Sequence, residues 1–467
     1  MRPRGNAMPD ESTMNRRHVL GGLAATGAAG LVSSAHAADE PTRLRMGVSV
    51  PPPILGPRMN FEQADKVMAE LELDAIVLGG AKNLYHATGL DLTAPRMGHT
   101  PAVYALITRK QGQRLSLIAP TFLYYYTIAM DHRHSDFPAY LYAAPGADEA
   151  EDAELGLDEL PLYPDIEQEP LDFIETTRLS IVERAVRSEA ARPNLKFALA
   201  NALKDTGVAG GRIAADVQPV IRNVTEAAEK ATVVSADDAL RRIRPVKSDV
   251  EIQLMRYAAQ ANAEAALQAA STVRAGADVR ELRATFFAAA AARGMRGVFM
   301  VIDRVSSPTY SATLRDGQCF SIDCVSEYMG YHGDFARAIY IGEPVKSMRK
   351  VSELTARSWD HVRENLRPGV KFSEVRSMGQ EALRKMGADF SISFSPHSVG
   401  LYHTDHVGTM GSPPREDIVL EPRMVLSVDC PMGATGMGGS SHLEDLMLIT
   451  EDGAEPINTI GTNVVQV

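Results

Sequence analysis

The first half of the chain alternates amphipathic segments with short apolar runs. Apolar side chains recur at helical spacing over residues 61–71, and residues 74–78 then form an apolar run that Gly79 and Gly80 end. A short apolar run between turn residues is typical of a buried strand. Because this alternation continues to about residue 240, the pattern predicts an α/β domain over residues 57–240.

A different pattern fills the second half of the chain. Residues 251–270 are rich in alanine and carry apolar residues at helical spacing, which predicts a strong helix. A further helix, a strand-rich stretch over residues 298–341, two helical patterns within residues 345–386 and a strand-rich end follow it. Helices followed by strands of this kind indicate an α+β domain over residues 245–467.

Charge narrows the class of partner. The 467 residues carry a net charge of -11, so no broad basic surface for nucleic acid or anionic lipid is expected. A peptide or a small molecule suits this composition better as a substrate. Acidic residues and prolines are concentrated over residues 148–172, and we interpret this stretch as a solvated surface insertion in the first domain.

The first 38 residues resemble an export signal. Arg16 and Arg17 precede an apolar run rich in glycine and alanine, which ends in the small-residue pattern of Ala35, His36 and Ala37. This arrangement resembles a twin-arginine signal peptide and implies a periplasmic protein. A membrane anchor is the alternative, but the run is short and glycine-rich for a bilayer span. No later segment predicts a membrane span.

Two aspartates lie eleven positions apart in the strand-rich stretch. Asp323 follows an apolar run, and Gly330 lies in a predicted turn, so Asp323 and Asp334 can face each other across a hairpin. Two buried carboxylates repel each other unless a cation or a proton lies between them. The alternative is that Asp323 caps a turn while Asp334 pairs with Arg337.

The remaining chemistry lies nearer the end of the chain. Three histidines, His397, His403 and His406, fall within ten residues beside a glycine, which favours metal ligation or proton transfer. Asp429 ends a second apolar run, and Glu444 precedes a third. Surface charge explains poorly why several predicted strands each carry an acid at one end.

In this order the residues resemble those of the creatinase, aminopeptidase P and prolidase family of pita-bread metallopeptidases. Further likeness lies at Lys247, Ser248 and Glu251, which open a predicted helix, and at Arg58 and the segment 83–89, so that it covers about residues 57–467. The resemblance implies a C-terminal pita-bread domain preceded by an α/β creatinase-type N-terminal domain. It also implies a homodimer.

The resemblance further implies a site for two divalent metal ions. Asp323 would bind one ion, Asp334 and Glu444 would bridge both, and His397 and Asp429 would complete the shell of the second. An oxygen-rich ligand set suits Mn, Co, Fe or Zn. The implied function is that of a metallohydrolase similar to Xaa-Pro aminopeptidases and dipeptidases, in which a hydroxide shared by the two ions attacks an amide carbonyl.

Some positions depart from the family pattern. Asp429 stands where the peptidases carry glutamate, so the strand must shift, the second ion must move or the metal affinity must fall. The upstream substrate-facing histidine is missing, since the chain has no histidine between His134 and His332. Downstream, Thr404 replaces an assisting histidine. Asp405, His403 and His406 surround it, and His403 is the better candidate for proton donor, with ordinary loop packing as its alternative.

Two other functions stay open. The dimethylsulfoniopropionate lyases of the family use the same scaffold for elimination, and Asp405 or His403 could supply the base for such a reaction. A metal-free creatinase-like protein is disfavoured because unpaired buried acids are costly to keep. Cys324 and Cys430 each follow a predicted ligand, and they either form a disulfide behind the site or serve as small buried hydrophobic residues.

Overall fold

The computed structural model describes residues 42–43, 49–50, 54–132, 136–143, 151–162, 169–406 and 416–467. The predicted export signal at residues 1–38 therefore lies outside the described residues, as do parts of the predicted acidic insertion. Within that insertion, residues 151–154 are exposed, and Leu155 forms a single β-bridge with Ala191.

Helices and strands alternate up to residue 243. The helices are α1 (Phe61–Glu70), α2 (Ala81–Thr88), α3 (Thr121–Leu123), α4 (Ala129–His132), α5 (Phe173–Ser188), α6 (Leu195–Asp205), α7 (Gln218–Ala227) and α8 (Asp237–Ile243), with 3-10 turns at Ala94–Met97 and Leu157–Glu159 and a π turn at Tyr124–Ile128. The strands are β1 (Thr42–Arg43), β2 (Ser49–Val50), β3 (Ala75–Leu78), β4 (Tyr104–Thr108), β5 (Leu115–Pro120), β6 (Ala139–Tyr142), β7 (Arg212–Ala215) and β8 (Thr232–Ser235).

Six of these strands form one mixed sheet in the order β6-β5-β4-β3-β7-β8. Neighbours are parallel at β5/β6, β3/β7 and β7/β8 and antiparallel at β3/β4 and β4/β5. Every residue of β3, β4 and β5 is buried. Strands covered on both faces read as continuous apolar runs, which is why the sequence predicts this α/β part of the chain.

The second part has fewer helices and longer strands. Its helices are α9 (Asp249–Ala270), α10 (Val279–Ala292), α11 (Lys346–Asn365) and α12 (Phe372–Lys385). Its strands are β9 (Arg296–Ile302), β10 (Cys319–Tyr328), β11 (Tyr331–Tyr340), β12 (Ser395–Ser398), β13 (Val425–Met432), β14 (Ser441–Leu443), β15 (Met447–Ile449), β16 (Ala454–Pro456) and β17 (Val464–Gln466).

These strands form two sheets that meet at one bridge. The first has the order β17-β11-β10-β9, and the second the order β12-β13-β15-β16 with β14 beside β13. Ala336 of the first sheet pairs with Glu444 of the second. The pattern of helices packed on largely antiparallel strands confirms the α+β prediction. Among the described residues, no helix is both long and apolar enough to cross a membrane.

Helix α9 supports the longest hairpin from behind. Ser248 caps the helix through a reciprocal pair of hydrogen bonds with Glu251, as the sequence pattern indicates. The helix lies so close to β11 that a Cβ atom on Gly333 would come within 2.4 Å of the Ala258 carbonyl oxygen. Asn262 of the helix donates to the Cys324 carbonyl oxygen at 2.7 Å. The hairpin is therefore fixed by contacts on the face opposite the acids.

Polar contacts join the two parts of the chain. His86 of α2 lies 3.1 Å from a Glu251 oxygen, and Tyr331 donates to the same oxygen at 3.0 Å. Tyr85 donates to the Met329 carbonyl oxygen at the hairpin turn. Asp405 is fully buried between Arg244 and Lys247. The exact limits of the two domains, 57–240 and 245–467, stay predictions.

The three cysteines, Cys319, Cys324 and Cys430, are free and buried. Cys324 packs in the core around α9 and α10, whereas Cys430 packs in the core around α11 and β13. Adjacent residues on a strand point to opposite faces, so each thiol does turn away from its neighbouring acid. The two thiols pack in different cores and do not form a disulfide. Of the two alternatives, the structure therefore supports the one in which both cysteines are small buried hydrophobic residues.

Candidate metal centre

The hairpin of β10 and β11 sets the first two acids on one face. Met329 and Gly330 at its turn both have positive φ, 46° and 82°, as a tight two-residue hairpin turn requires. In the resulting register Asp323 lies opposite Ala336, and Asp334 lies opposite Val325. Residues two apart on a strand share a face, so the two carboxylates are diagonal neighbours.

Ala336 links the hairpin to the second sheet. It is opposite Asp323 on one side and bridged to Glu444 on the other, where the backbone groups of Ala336 and Glu444 exchange hydrogen bonds at 3.3 and 3.2 Å. Directly paired residues share a face of the sheet. The small side chain of Ala336 therefore lies between two carboxylate residues in one row.

The second sheet brings in the histidine and the fourth acid. His397 of β12 lies opposite Ser427 of β13, and Asp429 is two residues farther along β13 on the same face. Ser427 also donates a hydrogen bond to Glu444. All five ligands that the resemblance implies thus converge from β10, β11, β12, β13 and the residue after β14.

Their ligand atoms lie at distances that suit shared ions. His397 Nε2 is 3.6 Å from Asp334 Oδ2, 3.6 Å from Asp429 Oδ1 and 3.4 Å from Glu444 Oε1. Ligands bound at about 2.0 to 2.2 Å to one ion lie about 3 to 4 Å apart. Among the described residues, three groups each have one ligand atom per residue within 4.8 Å of the others: Asp334 with His397 and His403, His397 with Asp429 and Glu444, and Asp323 with His442 and Glu444.

Several of these atoms lack a hydrogen-bond partner. Among the described residues, this holds for Asp323 Oδ1, both Asp334 carboxylate oxygens and His397 Nε2, all of which are buried. His403 Nε2 comes within 3.0 Å of Asp334 Oδ2, but without hydrogen-bond geometry. Unsatisfied buried polar atoms cost free energy, and metal ions would satisfy them. The residues present therefore fit a site for divalent ions.

Burial and the neighbouring charges shift the pKa values of the acids and of His397 in the site. Burial and the charge of Asp334 raise the pKa of Asp323, and burial with the charges of Asp334 and Asp429 raises the pKa of Glu444 well above its usual value. Burial alone would lower the pKa of His397, but Asp429 and Asp334 outweigh it and raise that pKa to about 9. The cluster thus favours added positive charge, whether from protons or from a cation.

The three predicted catalytic residues occupy different environments. His403 is 34% exposed at its side chain, and its ring lies 4.9 Å from that of His397. His406 accepts a hydrogen bond from the Ser398 backbone, and burial lowers its pKa to about 4. Asp405 has one oxygen bound by Arg244 and the other by Lys247. Of the three, His403 directly approaches the metal centre.

The alternative ion pair between Asp334 and Arg337 does not form. Arg337 pairs instead with Asp445 through contacts of 2.8 and 3.0 Å, and it donates to the Glu444 carbonyl oxygen at 2.8 Å. Because Asp334 and Arg337 are an odd number of residues apart on one strand, they point to opposite faces. The alternative was wrong, and Arg337 braces the segment of Glu444 from behind the site.

One residue of the cluster was missed from the sequence. His442 lies two residues before Glu444, and its Nε2 atom is 3.7 Å from both Asp429 Oδ1 and Glu444 Oε2. The signal for it was the alternation of a strand, since residues two apart share a face. In the sequence, however, His442 stands apart from the histidine cluster at 397–406.

Comparison with known proteins gives a consistent result. Residues 253–451 match the model of metallopeptidase family M24. Over 237 residues the chain is 30% identical to the probable dipeptidase PepE of Mycobacterium tuberculosis strain H37Rv, covering 48% of this chain and 61% of that relative. Over 247 residues it is 24% identical to the Xaa-Pro dipeptidase of Pyrococcus furiosus, covering 50% of this chain and 69% of the relative.

Solved structures extend the likeness to the fold. A dipeptidase from Pyrococcus horikoshii aligns with a TM-score of 0.62 at 17% identity, over 88% of this chain and 100% of that chain. This coverage includes both parts of the chain, whereas the family match falls in the second part alone. The predicted arrangement is confirmed: a pita-bread domain follows an α/β domain, and over residues 253–451 the chain is similar to metallopeptidase family M24.

Proposed function

We propose that this protein is a metal-dependent hydrolase that cleaves the amide bond of a dipeptide or another short peptide, with Xaa-Pro sequences as the first substrate class. The observation that carries the proposal is the convergence of Asp323, Asp334, His397, Asp429 and Glu444 with unsatisfied ligand atoms. The match to metallopeptidase family M24 supports it.

The residues of the site would have two roles, metal binding and proton transfer. Asp323, Asp334, His397, Asp429 and Glu444 would hold two divalent ions. Such ions, when bound, activate water and polarise a carbonyl oxygen. His403 stands at the open side of the site, partly exposed and 3.0 Å from Asp334. From this position it can deliver a proton to the leaving amine or stabilise developing charge. Phe299, 5.3 Å from His403 between ring centres, supplies an apolar wall.

One departure from the family pattern, the missing upstream histidine, concerns a position that would face the substrate. Ser306, Ser307 and Thr309, which lie near where an upstream histidine is expected, are exposed in the loop after β9.

For the alternative of elimination, Asp405 is a poor base because both its oxygens bind cationic side chains. Of the two candidate bases, this leaves His403. A metal-free protein would have to keep buried oxygens of Asp323 and Asp334 unsatisfied, at a considerable cost.

Export and assembly belong to the same proposal. A twin-arginine signal would carry the folded protein to the periplasm with its ions in place, and a homodimer follows from the family resemblance. The ions are expected among Mn, Co, Fe and Zn, because carboxylate and imidazole ligands suit all four.

The proposal is tested by metal analysis combined with product analysis. The full chain is purified, stripped of metal and reloaded with Mn, Co, Fe or Zn, and its ion content is measured by mass spectrometry. We expect about two ions per chain and hydrolysis of Xaa-Pro dipeptides. Fewer than about one ion per chain would overturn the two-metal proposal. Release of dimethyl sulfide from dimethylsulfoniopropionate without peptide cleavage would replace hydrolysis by elimination.

His403→Gln tests the proposed proton donor. We expect kcat to fall by about 100-fold or more while both ions stay bound, because an acid–base catalyst typically contributes a factor of about 10² to 10⁴. The matched control is His361→Gln on the exposed face of α11, which should leave kcat unchanged. A His403→Gln variant with unaltered kcat would show that His403 is an ordinary loop residue.

A further inference from the structure

We infer that His442 is itself a metal ligand and supplies an imidazole to the ion held by Asp323 and Glu444. The inference rests on the proposed two-metal site and adds a ligand to it. It changes the composition of the site, because each ion would then have one histidine: His442 for the first and His397 for the second.

The strand register directs His442 into the site. On β14, His442 lies opposite Pro431 of β13, and Asp429 is two residues from Pro431 on the same face. Glu444, in turn, is two residues from His442. The side chains of His442, Asp429 and Glu444 therefore project from one face of the sheet.

The contacts of His442 are those of a ligand rather than of a core residue. Its side chain is 10% exposed, and among the described residues its Nε2 atom has no hydrogen-bond partner. That atom lies 3.7 Å from Asp429 Oδ1 and 3.7 Å from Glu444 Oε2, and one ligand atom each from Asp323, His442 and Glu444 fall within 4.8 Å of one another.

A buried histidine elsewhere in the chain shows the contrast. In the first part of the chain, Nδ1 of His132 lies 2.8 Å from the Tyr124 hydroxyl, and its Nε2 lies 3.1 Å from the Phe137 carbonyl oxygen. Each ring nitrogen of that structural histidine has a protein partner. His442 instead turns Nε2 toward the carboxylates of Asp429 and Glu444 without a hydrogen bond to either. A cation between them satisfies all of these atoms together.

A second imidazole would also change which metals the site prefers. A site with two imidazoles holds Zn, Co or Fe more strongly relative to Mn than a site with one, because imidazole suits those ions and oxygen ligands suit Mn.

Zinc titration of the metal-free full chain tests this assignment. Wild type, His442→Gln and His397→Gln are titrated with zinc alone by calorimetry, and thermal unfolding is followed with and without zinc. We expect His442→Gln to weaken one of two binding steps by about 100-fold or more, beyond the effect of residues that only support ligands. His397→Gln should weaken the other step. The Tm of metal-free His442→Gln should stay within about 2 °C of wild type.

His132→Gln is the matched control for replacing a buried histidine. It should lower the Tm of the metal-free protein and leave both zinc affinities unchanged, which is the reverse of the expected His442→Gln result. Two wild-type binding steps that His442→Gln leaves unchanged would overturn the inference while the proposed function stands. A wild-type protein that binds no zinc, Mn, Co or Fe would overturn the proposed function itself.

X-ray absorption of the zinc-loaded wild type is a second measurement, independent of whether any variant folds. With His442 and His397 both bound, the average is about one imidazole per ion, whereas His397 alone gives about one half. An average near one half would overturn the assignment even if His442→Gln unfolds.

Discussion

Two buried clusters of charge satisfy their charges in different ways. The junction cluster, formed by Asp405, Arg244 and Lys247, balances its carboxylate with two cationic side chains. The metal centre, formed by Asp323, Asp334, His397, Asp429, His442 and Glu444, brings several carboxylates together and leaves ligand atoms without partners.

The pKa of Asp405 shifts in the opposite direction from the pKa values of Asp323 and Glu444. Burial alone would raise the pKa of Asp405, but Lys247 and Arg244 outweigh it and hold that pKa at about 2. In the metal centre, burial and neighbouring acids raise the pKa of Asp323 and of Glu444. A buried acid whose partners belong to the chain stabilises the fold. A buried acid without such partners needs a cation from solution and indicates a functional site.

The largest expected effect is on the junction cluster. Asp405→Asn leaves Arg244 and Lys247 buried without their carboxylate, and breaking a buried ion pair in this way typically costs about 3–5 kcal/mol. Urea unfolding should show this loss of unfolding free energy both with and without metal. A loss below about 1 kcal/mol in either state would mean that these buried ion pairs do not stabilise the fold.

The matched change in the metal centre is Asp323→Asn. It should weaken metal binding by more than about 100-fold and leave the metal-free protein as stable as wild type, because a neutral amide suits a position that disfavours charge. Calorimetric titration with zinc and unfolding of the metal-free protein measure the two quantities. If Asp323→Asn instead destabilises the metal-free protein as much as Asp405→Asn, the two clusters do not differ in the way described.

The smallest expected effect is a pH dependence that belongs to Asp405. Its pKa is about 2 in the folded protein and about 3.9 in an unfolded chain. Because the folded pKa is the lower one, the stabilisation is present above about pH 4 and is lost as the pH falls to about 2. The full stabilisation amounts to about 3 kcal/mol, most of which is lost by about pH 2.

The measurement is the difference in unfolding free energy between metal-free wild type and Asp405→Asn. That difference should shrink by about 2 kcal/mol between about pH 5 and about pH 2. A difference that stays constant over this interval would mean that another group carries the acid sensitivity. Other acids titrate in both proteins and cancel in the comparison.

Local patterns predicted much of the fold, whereas the five ordered ligands were implied by the family resemblance and stay a prediction. The hairpin that carries Asp323 and Asp334 could be predicted because its turn and its apolar runs are local in sequence. His442 could not be singled out as easily, because its position in the site depends on the pairing of β14 with β13. The involvement of Asp405 with Arg244, about 160 residues earlier, has no local signal at all.

Gly400 is a single residue for which the local sequence does not give the physical reason. The sequence pattern marks a glycine three positions after His397, and the structure gives the reason: a Cβ atom there would lie 2.2 Å from Lys247 Nζ and 2.6 Å from Asp405 Oδ2. The requirement comes from side chains that tertiary packing brings together.

The sequence by itself therefore determined the fold class and the order of the acids and histidines, because strand alternation and residue chemistry are local properties. Only the tertiary structure decided which of the neighbouring polar residues are already satisfied. Asp405 and Arg337 find their partners within the chain, whereas Asp334, His397 and His442 keep unpaired atoms among the described residues. Whether a buried charge has a partner depends on distances of a few ångströms between segments that are far apart in the sequence. The candidate metal centre is the cluster whose ligand atoms lack such partners.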